Sequence, residues 1–270
     1  MSEKPGNSDE SDTDVLLGGI FGNNDYEEPV IKGHLVKFYT MLGMPIDIHL
    51  IGKSPLYGHI LTNACKYIAK YLERNMDTLV KDRTVIEFGS GGALPSILCA
   101  KLGASMALAT DYPDPELVNN IEYNIKMNKV QNNCKSLGFI WGNDISDILS
   151  LISGPPVERK TFDTIILSDV IFNHTEHYKL LKTCKQLITP KTGKVLVAFT
   201  PHRPHLLDAD LSFFQKAQEQ PYSFKLDFIE MVHYSPLFKD DKDESTREIR
   251  SRVYMSVSYT HLTLPTILLV

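Results

Sequence analysis

The sequence contains little cysteine. There are four cysteines in 270 residues, and no two of them form a Cys-x-x-Cys pair. This scarcity excludes a disulfide scaffold and provides no zinc or redox motif, so no metal site is expected. No positively charged, apolar leader opens the chain either. We expect reduced, mostly buried thiols in a cytosolic or nuclear protein, and we assign a cytoplasmic location.

Long apolar runs and an excess of positive charge are also missing. No segment approaches the roughly 20 apolar residues that a membrane-spanning helix needs. The formal net charge is −5, which does not favour general binding to nucleic-acid phosphates. Membranes and nucleic acids are therefore not expected as direct partners.

Acidic residues are concentrated near the N-terminus. Residues 1–30 contain eight acids and one base, a charge of −7, so the remaining residues sum to +2. A mildly basic body with an acidic tail is compatible with a basic peptide substrate. Alternatively, the tail only keeps the protein in solution.

Composition divides the chain into three parts. Residues 1–29 are rich in Ser, Asp, Glu, Gly and Asn, which predicts a disordered acidic tail. Residues 30–256 have the composition of a folded domain. From about residue 257 the strand pattern dissolves into "VSYTHLTLPTILLV". We expect residues 257–270 to be non-native or disordered.

Strand and helix patterns alternate along the predicted domain. The strand candidates are Val85–Phe88, Met106–Thr110, Leu137–Trp141, Asp163–Ser168, Val195–Thr200, Ser223–Met231 and Glu248–Val257. The helix candidates are 94–102, 115–128, 145–152, 175–188 and 206–219. This alternation predicts an α/β fold, a Rossmann-like, mostly parallel sheet of seven strands with helices on both faces.

A glycine-rich turn, "EFGSGG", follows the first of these strands. A dinucleotide fingerprint, G-x-G-x-x-G, would need a third glycine where Leu94 stands, and Leu94 obstructs the close helix–strand packing. The acid-x-G-x-G pattern of S-adenosylmethionine sites matches Glu87, Gly89 and Gly91. A carboxylate suits a cationic sulfonium, whereas it would repel a diphosphate.

Asp111 ends the second strand, about 20 residues after the turn. A carboxylate at this offset accepts hydrogen bonds from both ribose hydroxyls of an adenosine. Because NAD uses the same acid, Asp111 supports an adenosine ligand without deciding between the two cofactors. Its alternative role is a helix or turn cap.

The third and fourth strands end in further candidate ligand contacts. Trp141, the only tryptophan, is placed to stack on an adenine face, with Asn143 or Asp144 reaching the exocyclic amine. Alternatively, Trp141 packs in the core. Ser168 and Asp169 end the fourth strand, and we expect them beside the sulfonium in the same crevice.

The segments "EFGSGG", "TDYPD", "WGND" and "LSDVIFNHTEH", in this order, resemble the class I, seven-strand methyltransferases, in the branch that methylates protein lysines. Upstream, "GKSPLYGHILTNA" resembles the entry helix of that branch. The resemblance covers about residues 30–256. Within the branch, the segments "YPDPELVNNIEYN" and "LSDVIFNHTEHYKLL" are most similar to fungal members that methylate translation elongation factor 1-alpha.

The resemblance implies S-adenosylmethionine as the cofactor. It assigns to the cofactor pocket the residues Tyr57, Gly89, Ser90, Gly91, Asp111, Trp141 and Ser168. Tyr57 stands where the branch usually has tryptophan, which leaves an aromatic face of smaller area.

The branch also has an acid-x-x-Tyr motif after the fourth strand, which corresponds here to Asp169-Val-Ile-Phe172. Phenylalanine replaces tyrosine, so a role that requires a phenol is not available. We expect Asp169 to bind and orient an incoming ammonium group. Phe172 is expected to pack on its methylated forms through cation–π attraction.

Three functions are compatible with these observations. By resemblance, the protein transfers methyl groups to the N-terminal glycine amine and the adjacent lysine of elongation factor 1-alpha. A protein substrate and a monomeric enzyme follow from this interpretation. The first alternative is methylation of a small amine such as nicotinamide. The second is an NAD(P)-dependent oxidoreductase, which Leu94 and Glu87 disfavour.

Asparagines recur every four residues in the helix candidate 115–128. Asn120, Asn124 and Asn128 are predicted to form the solvent or rim face of this helix, opposite an apolar face.

Two histidine motifs have weaker meanings. His174 and His177 lack the spacing of a zinc-protease motif, which favours capping or contact at the substrate rim. His202 or Arg203, in "FTPHRP", either touches substrate or belongs to a plain loop.

Overall fold

A computed structural model of the protein describes residues 32–52, 58–152, 161–237 and 243–260. The chain divides into two units, Met1–Ile31 and Lys32–Val270, and all of the described residues belong to the second. The predicted acidic tail and Tyr57 lie outside the described residues.

An antiparallel hairpin of β1 (His34–Tyr39) and β2 (Pro45–Leu50) precedes the main sheet. The strands of the main sheet are β3 (Thr84–Phe88), β4 (Met106–Asp111), β5 (Cys134–Gly138), β6 (Thr164–Ser168), β7 (Lys194–Phe199), β8 (Phe224–His233) and β9 (Arg252–Thr260). Their order is β5-β4-β3-β6-β7-β9-β8. Strands β3 to β7 are parallel, whereas β9 lies antiparallel to both β7 and β8. The predicted mostly parallel sheet of seven strands is confirmed.

Helices cover both faces of this sheet, also as predicted. The α-helices are α1 (Asn63–Arg74), α2 (Met76–Leu79), α3 (Leu94–Lys101), α4 (Pro115–Met127), α5 (Ser146–Ile152), α6 (His177–Leu187), α7 (Leu207–Gln218) and α8 (Arg247–Arg250). Short 3-10 helices span His174–Glu176, Pro204–Leu206 and Glu244–Thr246. Across the described ranges, no helix has the length and apolar character needed to cross a membrane.

The core lies in two layers, one on each face of the sheet. Residues of α1, α3 and α4 pack in one layer, and residues of α6 and α7 pack in the other. Within β7, Leu196 belongs to the first layer while its neighbours Val195 and Val197 belong to the second. Because side chains alternate along a strand, coverage of both faces explains why β7 is apolar throughout.

Two strands, β5 and β9, differ from the sequence prediction by three or more residues at both ends. Strand β5 starts three residues earlier than predicted, since Cys134 already pairs with Ala107 of β4. It ends at Gly138, after which the Phe139 N–H donates to the Asp111 carbonyl at 2.7 Å. The apolar run continues to Trp141, beyond the end of the strand. A prediction from apolar residues alone therefore placed the end of the strand too late.

The last strand is also shifted. Residues 247–250 form α8, and β9 then continues to Thr260, which pairs with Phe224 of β8. Residues 257–260, assigned to the C-terminal tail from sequence, are thus part of the sheet. Residues 261–270 lie outside the described part of the chain.

The asparagine stripe of α4 is buried, which contradicts the predicted solvent or rim face. Asn120, Asn124 and Asn128 all face the free edge of β2. The Asn124 side chain accepts from the His49 N–H at 2.8 Å and donates to the His49 carbonyl at 2.8 Å. Asn128 makes the same pair of bonds with the backbone of Asp47. Backbone groups at a buried strand edge need partners, and the amide side chains provide them.

Candidate functional site

A cavity of about 270 Å³ opens at the carboxyl ends of β3, β4 and β6. In open α/β sheets, ligands bind in this crevice. Within the described ranges, all of the site residues assigned by the family resemblance line it, namely Gly89, Ser90, Gly91, Asp111, Trp141, Ser168, Asp169 and Phe172. Gly58, which follows the undescribed Tyr57, lines the same cavity.

The glycine turn between β3 and α3 requires glycine for two reasons. Gly89 and Gly91 have φ angles of +66° and +53°, a region that other residues rarely adopt. A Cβ atom on Gly89 would lie 2.5 Å from Cγ1 of Val170. The turn therefore places backbone atoms that no side chain covers at the wall of the cavity.

Glu87 lies at the base of this turn and is buried. Its Oε2 accepts from both the backbone N–H and the hydroxyl of Ser96, at 3.1 and 2.6 Å. Burial raises the pKa of Glu87 to about 8, and the two bonds from Ser96 only partly oppose that effect. The carboxyl group thus anchors the start of α3 while bordering the cavity.

Asp111 connects the end of β4 to the glycine turn. Its Oδ2 accepts from the Gly91 N–H at 2.7 Å, and its Oδ1 accepts from the Tyr112 N–H at 2.7 Å. Burial raises the pKa of Asp111, while the two backbone bonds lower it. The capping role is therefore present in the structure. Each carboxylate oxygen also has a second lone pair that can accept from a ligand.

Trp141 both packs in the core and borders the cavity. It is half-buried against the layer that contains α6, and its ring reaches the glycine turn near Gly89. Asn143 and Asp144 are exposed and do not line the cavity. The prediction that one of them reaches a bound adenine is not supported, because the chain turns away from the cavity after Trp141.

Two buried serine hydroxyls in the cavity wall are poorly satisfied by the protein. The Oγ atoms of Ser90 and Ser168 have no hydrogen-bond partner of good geometry within the described ranges, and the polar neighbour of Ser168 is the weakly hydrogen-bonding Cys65 thiol. Such groups are costly unless a ligand or water satisfies them. Together with the glycine turn and Asp111, they fit a polar, adenosine-sized ligand.

Asp169 is held in a strained conformation directly after β6. Its φ angle is +54°, and its N–H donates to the Ala198 carbonyl at 2.8 Å. Oδ1 accepts from the Thr200 N–H at 2.8 Å, while Oδ2 lies 3.2 Å from Nε2 of His202. Strain of this kind is common where a side chain must be aimed at a ligand.

A second cavity, of about 40 Å³, adjoins the first. Both are lined by Ile60, Thr62, Asp169 and Phe172, and the smaller one also by His202, Arg203 and Leu237. The sequence interpretation named His202 and Arg203 as possible substrate contacts but missed Ile60, Thr62 and Leu237. Ile60 and Leu237 belong to no sequence motif, and Thr62 is recognisable only as a potential helix cap.

His174 and His177 have structural partners. Nε2 of His174 lies 2.6 Å from Asp210, and Nε2 of His177 lies 2.6 Å from the Ile171 carbonyl. Burial lowers the pKa of His177 to about 4. Among the described residues, no cluster of three or more His, Cys, Asp or Glu could hold a metal ion.

A lysine methyltransferase family model matches residues 56–220, more than half of the chain. The chain belongs to this lysine methyltransferase family. The resemblance read from its motifs is confirmed, and the protein is a methyltransferase. The family also decides against the NAD(P)-dependent oxidoreductase.

Curated relatives support the same assignment. A Candida albicans protein named protein N-terminal and lysine N-methyltransferase EFM7 is 46% identical over 215 residues, covering 77% of this chain and 80% of that protein. The Kluyveromyces lactis protein of the same name is 42% identical over 272 residues, covering 90% of this chain and 97% of its own.

Solved structures share the fold of the methyltransferase at low sequence identity. The T. thermophilus 16S rRNA methyltransferase RsmC, in complex with AdoMet and guanosine, has a TM-score of 0.53 at 14% identity, covering 85% of this chain and 51% of that chain. A precorrin-6y C5,15-methyltransferase from Geobacter metallireducens has a TM-score of 0.50 at 12% identity, covering 76% and 97%.

Proposed function

We propose that the protein uses S-adenosylmethionine to methylate the N-terminal glycine amine and the adjacent lysine of translation elongation factor 1-alpha. The name shared by the relatives, protein N-terminal and lysine N-methyltransferase, supports both acceptor groups. The observation that carries the proposal is the cavity at the carboxyl edge of the sheet. Ser90, Ser168 and Asp111 line this cavity together with the exposed backbone of the glycine turn.

The cavity residues have complementary roles in holding the cofactor. Asp111 would accept from the ribose hydroxyls, Trp141 would pack on the adenine, and the Ser90 and Ser168 hydroxyls would gain hydrogen-bond partners. The backbone of Gly89 and Gly91 lets the ligand approach closely, and we also assign Tyr57 to this pocket by family resemblance. When bound, the cofactor supplies a methyl group activated by positively charged sulfur.

The acceptor nitrogen must be uncharged when it attacks. An N-terminal ammonium has a pKa near 8, whereas a lysine ammonium has one near 10.4. Asp169 binds the incoming ammonium and orients it, and the proton leaves to water before attack. The uncharged nitrogen, oriented by Asp169, would then be placed to accept the methyl group that the bound cofactor supplies. Phe172 contacts the resulting methylammonium through its ring.

The cellular location, oligomeric state and partners of the enzyme follow from the same interpretation. We assign it to the cytoplasm as a monomer that acts on a protein partner and binds neither membrane nor nucleic acid directly. The four cysteines, Cys65, Cys99, Cys134 and Cys184, are all buried free thiols, as a reducing compartment allows.

The test combines a binding measurement with an activity measurement. Calorimetric titration with S-adenosylhomocysteine should show binding that Asp111→Asn weakens, while Asp114→Asn, at an exposed helix cap nearby, should not. Mass spectrometry of unmethylated elongation factor 1-alpha, incubated with enzyme and S-adenosylmethionine, should show methyl groups on the first glycine and the adjacent lysine. Methylation of nicotinamide alone, or no binding of S-adenosylhomocysteine, would overturn the proposal.

A further inference from the structure

The smaller cavity meets the candidate active site at Asp169 and Phe172, not at the glycine turn. It shares Asp169 and Phe172 with the cofactor cavity, but none of the glycines lines it. Methyl transfer is an in-line displacement, so the acceptor must approach the methyl group from the face opposite the sulfur. A second cavity that meets the first at Asp169 provides such an approach.

The dimensions of this cavity are restrictive. Its volume is about 40 Å³, compared with about 270 Å³ for the cofactor cavity. The smaller of the two spaces suits a narrow chain rather than a bulky group. A peptide side chain that branches next to the reacting nitrogen would need additional room.

The apolar walls of the cavity are held by fixed structure. Ile60 lies just before α1, whose N-cap, Thr62, accepts from the Cys65 N–H at 3.2 Å. The segment that leads to Leu237 is anchored because the Asn63 side chain donates to the Ser235 carbonyl at 2.8 Å. Walls next to such anchors resist widening, so they discriminate between acceptors by shape.

The two proposed acceptors would present the same chemical group to the smaller cavity. An N-terminal glycine and a lysine side chain both carry their primary amine on a methylene carbon that has no branch. We propose that the cavity between Ile60, Phe172 and Leu237 is the acceptor subsite, and that it selects a primary amine on an unbranched methylene. This inference rests on the proposed function and adds its substrate rule, which excludes N-terminal residues that have a side chain.

Synthetic peptides that differ only at residue 1 test this rule. The peptides carry Gly, Ala or Val at the N-terminus, and every lysine is replaced by arginine so that only the α-amine can react. The value of kcat/KM should fall at least tenfold from Gly to Ala and further for Val, because one methyl group in a tight apolar pocket changes binding by about 1–3 kcal/mol.

A variant that enlarges the smaller cavity tests whether this cavity causes the selectivity for glycine over alanine. Leu237→Ala should raise the Ala-to-Gly ratio of kcat/KM at least threefold. Leu42→Ala, a matched change on the exposed β1–β2 turn, should leave that ratio unaltered. Equal rates for the Gly, Ala and Val peptides, or a ratio insensitive to Leu237→Ala, would overturn the inference while leaving the proposed methylation intact. Failure on the Gly peptide and on the intact factor together would instead reject the proposed function.

Discussion

His202 and Asp169 form a histidine–carboxylate pair at the junction of the two cavities, with Nε2 3.2 Å from Oδ2. Burial lowers the pKa of His202, but the charge of Asp169 and its hydrogen bond outweigh that effect, and the net pKa is raised. Asp210 adds to the increase, and Arg203 opposes it. The fold therefore favours the histidine cation beside Asp169.

This pair predicts a pH-dependent contribution to stability. Because the folded pKa of His202 lies above its ordinary value of 6.5, the contribution is complete below about pH 6.5 and is lost as the pH rises through the folded pKa. His202→Gln removes it. The difference in Tm between wild type and His202→Gln should be larger near pH 6 than near pH 9. A constant difference across this range would contradict the assignment.

Asp169→Asn tests the role of the carboxylate in orienting the acceptor. Asparagine tolerates the left-handed backbone at this position, so the variant should keep the fold. We expect kcat/KM for the protein acceptor to fall by about a hundredfold, because an amine that is no longer aligned reacts slowly. The Kd for S-adenosylhomocysteine, measured by calorimetry, should change little. Unaltered turnover would remove Asp169 from the mechanism.

Ser90→Ala and Ser168→Ala should separate ligand binding from folding. Each removes a buried hydroxyl that is poorly satisfied by the described residues, so the ligand-free Tm should stay the same or increase slightly. Affinity for S-adenosylmethionine should fall by about two- to tenfold for each variant, the effect of one lost hydrogen bond. Parallel thermal-shift and calorimetric measurements check both parts. A large loss of ligand-free stability would indicate that the hydroxyls stabilise the fold.

Asn124→Ala should destabilise the protein through the hairpin. The variant loses the acceptor of the His49 N–H and a donor to the Gly92 carbonyl. We expect the free energy of unfolding in urea to decrease by about 1–3 kcal/mol. Asn119→Ala, an exposed asparagine on the same helix, is the matched control and should be nearly neutral. Similar losses for both variants would argue against a special role for the buried amide.

Much of the fold could be predicted because the relevant forces are local. The apolar runs of β3, β6 and β7, and the turn that needs Gly89 and Gly91, leave direct traces in the sequence. The prediction for the asparagine stripe of α4 was wrong, because polar residues on one face of an amphipathic helix usually face solvent. Only the position of β2 shows that these amides bond to a strand edge.

The acceptor side of the site was less predictable for a related reason. Its walls come from Ile60, Phe172 and Leu237, which are far apart in the chain and share no spacing pattern. Sequence motifs predicted residues that line the larger cavity. A cavity formed by side chains from separate loops appears only when the chain is folded.

The bonds between β2 and α4 bear on where the catalytic unit begins. The family match starts at residue 56, downstream of the hairpin. Yet Asn124 bridges that hairpin to Gly92 in the cofactor turn. A protein truncated at residue 56 would expose the asparagine side chains of α4, and apolar side chains beside them, to solvent. It would also loosen the glycine turn that contains Gly92. We therefore expect that an active truncated protein must keep the hairpin of β1 and β2.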